Sequence, residues 1–192
     1  MINEEKLKEL RENYNYVKEA KKNMSSEKKK KMWSSWYNMM SRCYGLQSRK
    51  KGHENCLVCK EWHIPFVYYK WWLNNYYEVG DEHMDLDKDI LKKGNYVYSP
   101  KYAMYVPHRI NTLFEQITCK INYKNGKYVL NFGGKEKRIE KFDTELEAKQ
   151  RWIEYKTKLI RDCAAQYKGK IPDRLYNAMI EWKIELSDWD NK

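Results

Sequence analysis

No stretch of these 192 residues approaches the ~18 consecutive apolar positions that a membrane-spanning helix needs, so a membrane is not expected as a partner. The opening residues, MINEEKLKEL, are charged from the start and hold no apolar core of a secretory leader. Cysteine is sparse and odd in number. Five thiols in a chain with no export signal are expected to stay reduced in a cytoplasm, here that of a bacterial host if the chain is phage-encoded. No internal repeat is visible, and the only low-complexity patch is the short run Lys28, Lys29, Lys30 and Lys31. Acid is in deficit as well: 27 Asp and Glu against 38 Lys and Arg leave a formal charge of +11. A basic chain with no membrane signal points to a polyanion, DNA or RNA, as its partner.

Aromatic residues are abundant. Seventeen Tyr and eight Trp raise the aromatic share to 15% and the hydrophobic share to 42%. That is enough for a packed core despite a mean hydropathy of −1.00, and it excludes extensive disorder outside the ends. The length suits one domain or two small ones.

Residues 3–23 read as a charged helix with Leu7, Leu10, Tyr14 and Val17 on one stripe. Ser25 or Ser26 caps a second helix bearing Met32, Trp33, Trp36, Met39, Met40 and Cys43, with Lys28 to Lys31 and Arg42 on its other side. A third helix is expected over 61–77, where Pro65 fits only the first turn. Two short strands then flank the turn Lys92-Lys93-Gly94-Asn95, and a helix follows over 107–117. Beyond it the pattern changes to period two over 119–123, 128–132 and 137–142, with Asn125-Gly126 as a type I′ turn signal. Thr144 and Glu147 form a capping box for a long helix carrying Ala148, Trp152, Tyr155, Leu159 and Cys163, and a last helix carries Leu175, Met179, Trp182 and Leu186. The expectation is an α+β protein in two parts. Residues 1–117 form a helical module ending in a ββα unit, and 118–192 form a three-stranded antiparallel sheet packed on helices.

Three groups of residues could carry chemistry. A ββα metal nuclease needs a cation ligand on its first strand, a base beside it to activate water, and a ligand on the following helix. Asp87 and Asp89 stand on the first strand, Asn111 on the helix, and His108 one helical turn before it. Second, Cys56-x-x-Cys59 is half of a zinc knuckle that Cys43 and His53 could complete, although a buried thiol explains Cys43 equally well. Third, the sheet offers Lys120, Lys124, Lys127, Asn131, Lys135, Lys137 and Arg138 to phosphates and base edges. Tyr128, Leu130 and Phe132 alternate with Val129 and Asn131, so the opposite face suits packing on the long helix through Trp152 and Tyr155. Lys28, Lys29, Lys30, Lys31 and Arg42 are further phosphate candidates, or a solvated helix end.

The segments WSSWYNMMSRCYG, CLVCKEWHIPFVYYKWWLNNYY and DLDKDILKKGNYVYSPKYAMYVPHRINTLF resemble phage-encoded relatives of HNH homing endonucleases, over roughly residues 30–117. FDTELEAKQRWIEYKTKLI, preceded by three strands, is similar to the tail of the ethylene-response-factor (Apetala-type) DNA-binding domain, over roughly residues 118–165. The first resemblance implies Asp87 and Asn111 as ligands of Mg²⁺ or Mn²⁺. It puts Lys88 where the general-base His is expected and Tyr102 where an orienting Asn is expected. Either Lys88 or one of the imidazoles of His108 and His83 would then have to serve as base. Together the resemblances imply a protein that binds double-stranded DNA, with metal-dependent cleavage as the first reading. The alternative is a non-catalytic DNA- or protein-binding phage protein, a regulator or an inhibitor of host defence, on a degenerate HNH scaffold. A third reading is RNA binding.

Overall fold

The computed structural model describes residues 4–45, 55–115, 117–132 and 138–189. They form a mixed helix-and-sheet, α+β structure in two compact units, Met1–Pro107 and His108–Lys192. The chain divides ahead of the boundary expected near Thr118, so the helix after the hairpin belongs to the second unit.

In the first unit, α1 (Glu4–Lys22) and α2 (Ser26–Tyr44) precede α3 (Pro65–Asn75). The Ser25 side chain starts α2 by accepting the Lys28 amide at 3.2 Å. Met32, Met39 and Cys43 are buried along that helix, and the half-buried Trp36 indole donates to the Trp62 carbonyl at 2.8 Å. The stripe expected on α1 is corrected in part. Val17 is buried, but Leu7 and Tyr14 are exposed, and the polar Asn13 takes the interior position. It is held there by Lys70 of α3, whose ammonium donates to the Asn13 side-chain oxygen at 2.7 Å. The helix expected over 61–77 is also shorter. A single 3₁₀ turn, Lys60–His63, precedes α3, because Pro65 lacks an N–H and pushes Ile64 into extended backbone (φ −94°, ψ 109°).

The stretch after α3 contains three strands where two were expected. Strand β1 (Leu57–Val58) pairs in parallel with β3 (Val97–Tyr98). Strand β2 (Met84–Asp87) pairs antiparallel with β4 (Met104–Pro107), Met84 opposite Pro107 and Asp87 opposite Met104. Lys92-Lys93-Gly94-Asn95 therefore turns the chain inside a long connection rather than closing a hairpin, with Gly94 at φ 73°. Trp62, Tyr68, Tyr69, Trp72, Tyr98 and Tyr105 fill the core beneath. The hydroxyls of Tyr68 and Tyr105 lie 2.7 Å apart, and both bond Ser35 of α2.

In the second unit, α4 (His108–Glu115) leads to β5 (Asn122–Lys124), β6 (Lys127–Asn131) and β7 (Ile139–Phe142), paired antiparallel in that order. Asn125 (φ 52°) and Gly126 (φ 72°) both take the left-handed conformation that a type I′ turn requires. Helix α5 (Glu145–Tyr167) opens on the expected capping box. Thr144 accepts the Glu147 amide at 3.2 Å, and the Glu147 carboxylate accepts the Thr144 amide at 3.0 Å. Leu130, Phe132 and Trp152 make the core under the sheet, joined by Phe142 and Tyr155. After Gly169 the chain turns into α6 (Asp173–Glu181), whose Leu175 and Met179 are buried. Trp182 and Leu186 lie beyond it, Leu186 opening a final 3₁₀ turn. Among the described residues no helix is long and apolar enough to cross a membrane.

Candidate nucleic-acid interface and the buried hairpin acids

The register of β5–β7 decides which side chains share a face. Asn122 stands opposite Val129, which stands opposite Lys141. Lys124 faces Lys127, and Asn131 faces Ile139. Strand side chains alternate, so these residues lie together on the side away from Leu130 and Phe132. Lys124, Lys127, Asn131, Ile139 and Lys141 are all exposed. No carboxylate falls on this face among the described residues of the three strands. The acid just past β7, Asp143, is ion-paired with Lys127. Lys124 and Lys141 have no carboxylate partner among the described residues.

Two residues of this face, Asn122 and Lys141, are additions to the sequence-based set. The signal for Lys141 was present: Phe142 points to the helix, so its neighbour must point outward. By the same parity Arg138 goes to the other side with Glu140 and Phe142. Its guanidinium pairs with Glu140 and lies 5.2 Å from the Phe132 ring centre, leaving it on the helix side of the sheet. Arg151 of α5 completes this arrangement, contacting Glu140 at 3.0 Å. Lys120 is exposed before β5, and Lys135 and Lys137 lie outside the described residues. One more lysine of this unit, Lys156 on α5, is buried, and burial lowers its ammonium pKa.

The hairpin acids have a different setting. Asp87 ends β2 and is buried. One of its oxygens accepts the backbone amides of Asp89 at 2.9 Å and Ile90 at 2.7 Å. The carboxyl thus caps the turn that follows, as an Asx turn does. Burial, and then the adjacent Asp89 carboxylate with its hydrogen bond, push the Asp87 pKa up to about 8. Lys88 is buried too. Its ammonium donates to Asp89 at 3.1 Å and lies 5.8 Å from the Tyr98 ring centre. The Asn95 amide donates to the Lys88 carbonyl at 2.6 Å and the Val97 carbonyl at 2.8 Å, fastening the loop beneath β2. Sequence reading missed Asn95, since an Asn after Gly in a turn ordinarily faces water.

Asn111 lies on α4 in the second unit, its amide donating to Glu115 at 3.2 Å, and His108 is exposed at the start of that helix. His83, an exposed residue of the first unit, contacts Asp85 at 3.2 Å. Asp87 belongs to the first unit and Asn111 to the second. The Asp87 carboxyl caps the turn beside Asp89, whose carboxylate accepts from the Lys88 ammonium.

Cys43 and Cys56 are buried with their sulfurs 2.8 Å apart. The Cys43 thiol is raised by that hydrogen bond and by burial. The Cys56 thiol is lowered by the same bond, with Lys88 and Arg42 adding to the effect. Cys59 is pushed up to about 11, mainly by burial. His53 lies outside the described residues, and among those described no three His, Cys, Asp or Glu side chains gather to hold a metal ion. On α2, Arg42 donates to the Tyr98 hydroxyl at 2.6 Å and Lys31 pairs with Glu27 and Glu78. Lys28 and Lys30 are exposed and Lys29 is half-buried.

Comparison with family models, curated proteins and solved structures finds no match to this chain. The functional reading therefore rests on the side chains themselves.

Proposed function

We propose that the protein binds double-stranded DNA through the outer face of the β5–β7 sheet. The observation that carries this reading is the acid-free face of Asn122, Lys124, Lys127, Asn131 and Lys141, with its rim acid paired to Lys127. Lysines neutralise phosphates and release counterions, which supplies affinity. Asparagine amides, a donor and an acceptor on one short arm, suit adenine edges in the major groove. Strands laid in a groove are an established way for a sheet to read DNA.

The test is a titration of a duplex at about 50 and about 200 mM salt, in which affinity falls steeply. Replacing Lys124 and Lys141 with Ala lowers the slope of log affinity against log salt by about 0.9 for each phosphate no longer neutralised. An affinity indifferent to salt, or a double variant matching the parent, overturns the proposal. An RNA duplex competing as well as DNA moves the reading to RNA.

A second reading, phosphodiester cleavage, is supported by one observation. A carboxyl titrating near 8 beside a lysine has the character of a proton-transfer group. A plasmid-nicking assay with Mg²⁺ or Mn²⁺ against chelator tests it. Lys88→His supplies an imidazole of pKa about 6.5 at the position where the HNH pattern has its base. Nicking that appears or rises in this variant supports the second reading. A parent and variant that bind DNA but never nick leave the hairpin as scaffold.

A further inference from the structure

Most of the aromatic side chains of α2 and α3 are buried or half-buried. The exposed ones are Tyr44, at the C-terminal end of α2, and the pair Trp33 and Tyr37. They are one helical turn apart on α2, 52% and 51% exposed, with ring centres 5.0 Å apart and planes inclined by 11°. Single exposed aromatics are ordinary, but two large rings already stacked on one another in water form a contiguous apolar surface. The surface is also rigid, since a helix backbone and mutual packing hold both rings. Lys29 and Lys30 occupy the turn before Trp33, on the same side of the helix by its 3.6-residue period. The single acid of α2, Glu27, is drawn off by Lys31 at 3.2 Å. Neither Lys29 nor Lys30 pairs with a carboxylate among the described residues, and neither ammonium covers the Trp33 ring.

We propose that the Trp33–Tyr37 stack is a platform for the bases of an unpaired polynucleotide strand, with Lys29 and Lys30 contacting its phosphates. The chemistry on both sides matches. A single strand presents flat π faces that gain from stacking on aromatic rings, and it carries a regular negative charge beside them. A duplex keeps its bases stacked within the helix and cannot use the platform. The occupant is therefore distinguished from the duplex bound by the second unit, and the proposal does not depend on that reading. Charge complementarity selects the strand over an apolar protein partner, for which two flanking free ammonium groups would be a desolvation cost.

The experiment uses the full chain and fluorescently labelled 20-nucleotide oligo-dT and oligo-U, at one fixed salt concentration. Trp33→Ala and Tyr37→Ala each weaken binding by about tenfold or more, the loss expected for a stacked base. Trp33→Phe and Tyr37→Phe, which keep a ring, restore most of it. Both positions are exposed, so a melting curve matching the parent separates lost stacking from lost folding. Duplex affinity is unchanged in the Ala variants, while Lys124→Ala with Lys141→Ala lowers duplex affinity and spares oligo-dT. Preference for oligo-U over oligo-dT assigns the strand as RNA, and the reverse assigns DNA. Ala variants that bind both oligomers like the parent overturn the proposal. So does a parent that binds neither oligomer, including one in which Trp33→Ala instead dissolves a dimer, which gives the surface to a second copy of the chain.

Discussion

The β2–β4 ribbon with the loop that follows β2, and the β5–β7 sheet, are both short antiparallel arrangements carrying lysine and acid, but they place those charges in opposite directions. In the ribbon, Asp87 and Lys88 are buried and engaged by backbone amides, by Asp89 and by the Tyr98 ring. In the sheet, acids are paired off to the helix side or the rim, while Lys124 and Lys141 stand in solvent. A charge serves a phosphate only if the phosphate reaches it without stripping the protein of a partner it needs. By that measure the sheet suits the binding we propose, and the ribbon is an internal tie. Both segments look equally charged in a linear reading.

The sharpest way to break this comparison is to reverse charge in the sheet and remove it from the ribbon. Lys124→Glu with Lys141→Glu should lower duplex affinity by about 100-fold or more. Lys88→Ala should leave it within about twofold while lowering the melting temperature of the first unit. Comparable losses of affinity in both would erase the distinction. Next in size is Asp87→Ala. It strands the amides of Asp89 and Ile90 and should cost about 2–4 kcal/mol in denaturant unfolding.

Asp87→Asn keeps an acceptor for those amides and isolates the titration. The folded-state pKa of about 8 lies above the ~3.9 of an unfolded aspartate, so the native state holds a proton that the unfolded chain gives up. That stabilisation is complete below about pH 4, declines as pH rises, and is gone above about 8. The parent should therefore lose stability between pH 5 and 8, and Asp87→Asn should flatten the profile. A parent profile already flat over that window would show that the carboxyl is ionised in the fold.

Asn95→Ala removes both loop-fastening bonds and should cost about 1–2 kcal/mol, with no effect on duplex affinity. The smallest expected effect is a gain. Burial lowers the Lys156 pKa, so at neutral pH its charge opposes folding, and Lys156→Met should stabilise the second unit by about 1 kcal/mol. Because the folded pKa lies below the unfolded one, the penalty shrinks as pH rises through it. The advantage of Met should therefore narrow at alkaline pH.

Much of the second unit was legible in the sequence because its signals are local. Asn125-Gly126 demands positive φ, Thr144 and Glu147 cap one another, and Leu130 and Phe132 alternate with Val129 and Asn131. The first unit was less legible because its decisive contacts are distant. Nothing near Val97 announces that it will pair with Leu57 rather than fold back on β2. Likewise Asn13 looks like a surface residue until Lys70 of another helix reaches it. The candidate sites divide in the same way. The lysines of β5 and β6 could be read from alternation, whereas the setting of Lys88 depends on the distant Tyr98, whose ring its ammonium approaches.

The parallel pairing of β1 with β3 has a consequence for how the chain reaches its native state. Leu57 and Val97 are about forty positions apart, so their pairing closes a large loop before it returns any stabilising energy. The β5–β6 hairpin closes across two residues, an event on the order of 1–10 μs. In stopped-flow refolding, protection of the β5–β6 amides should precede that of the Leu57 and Cys59 amides, which bond the carbonyls of Tyr96 and Tyr98. The half of the chain made first would be the last to finish. During that interval its tryptophans stay exposed to other chains, and a crowded ribosome is where such a delay would first be felt.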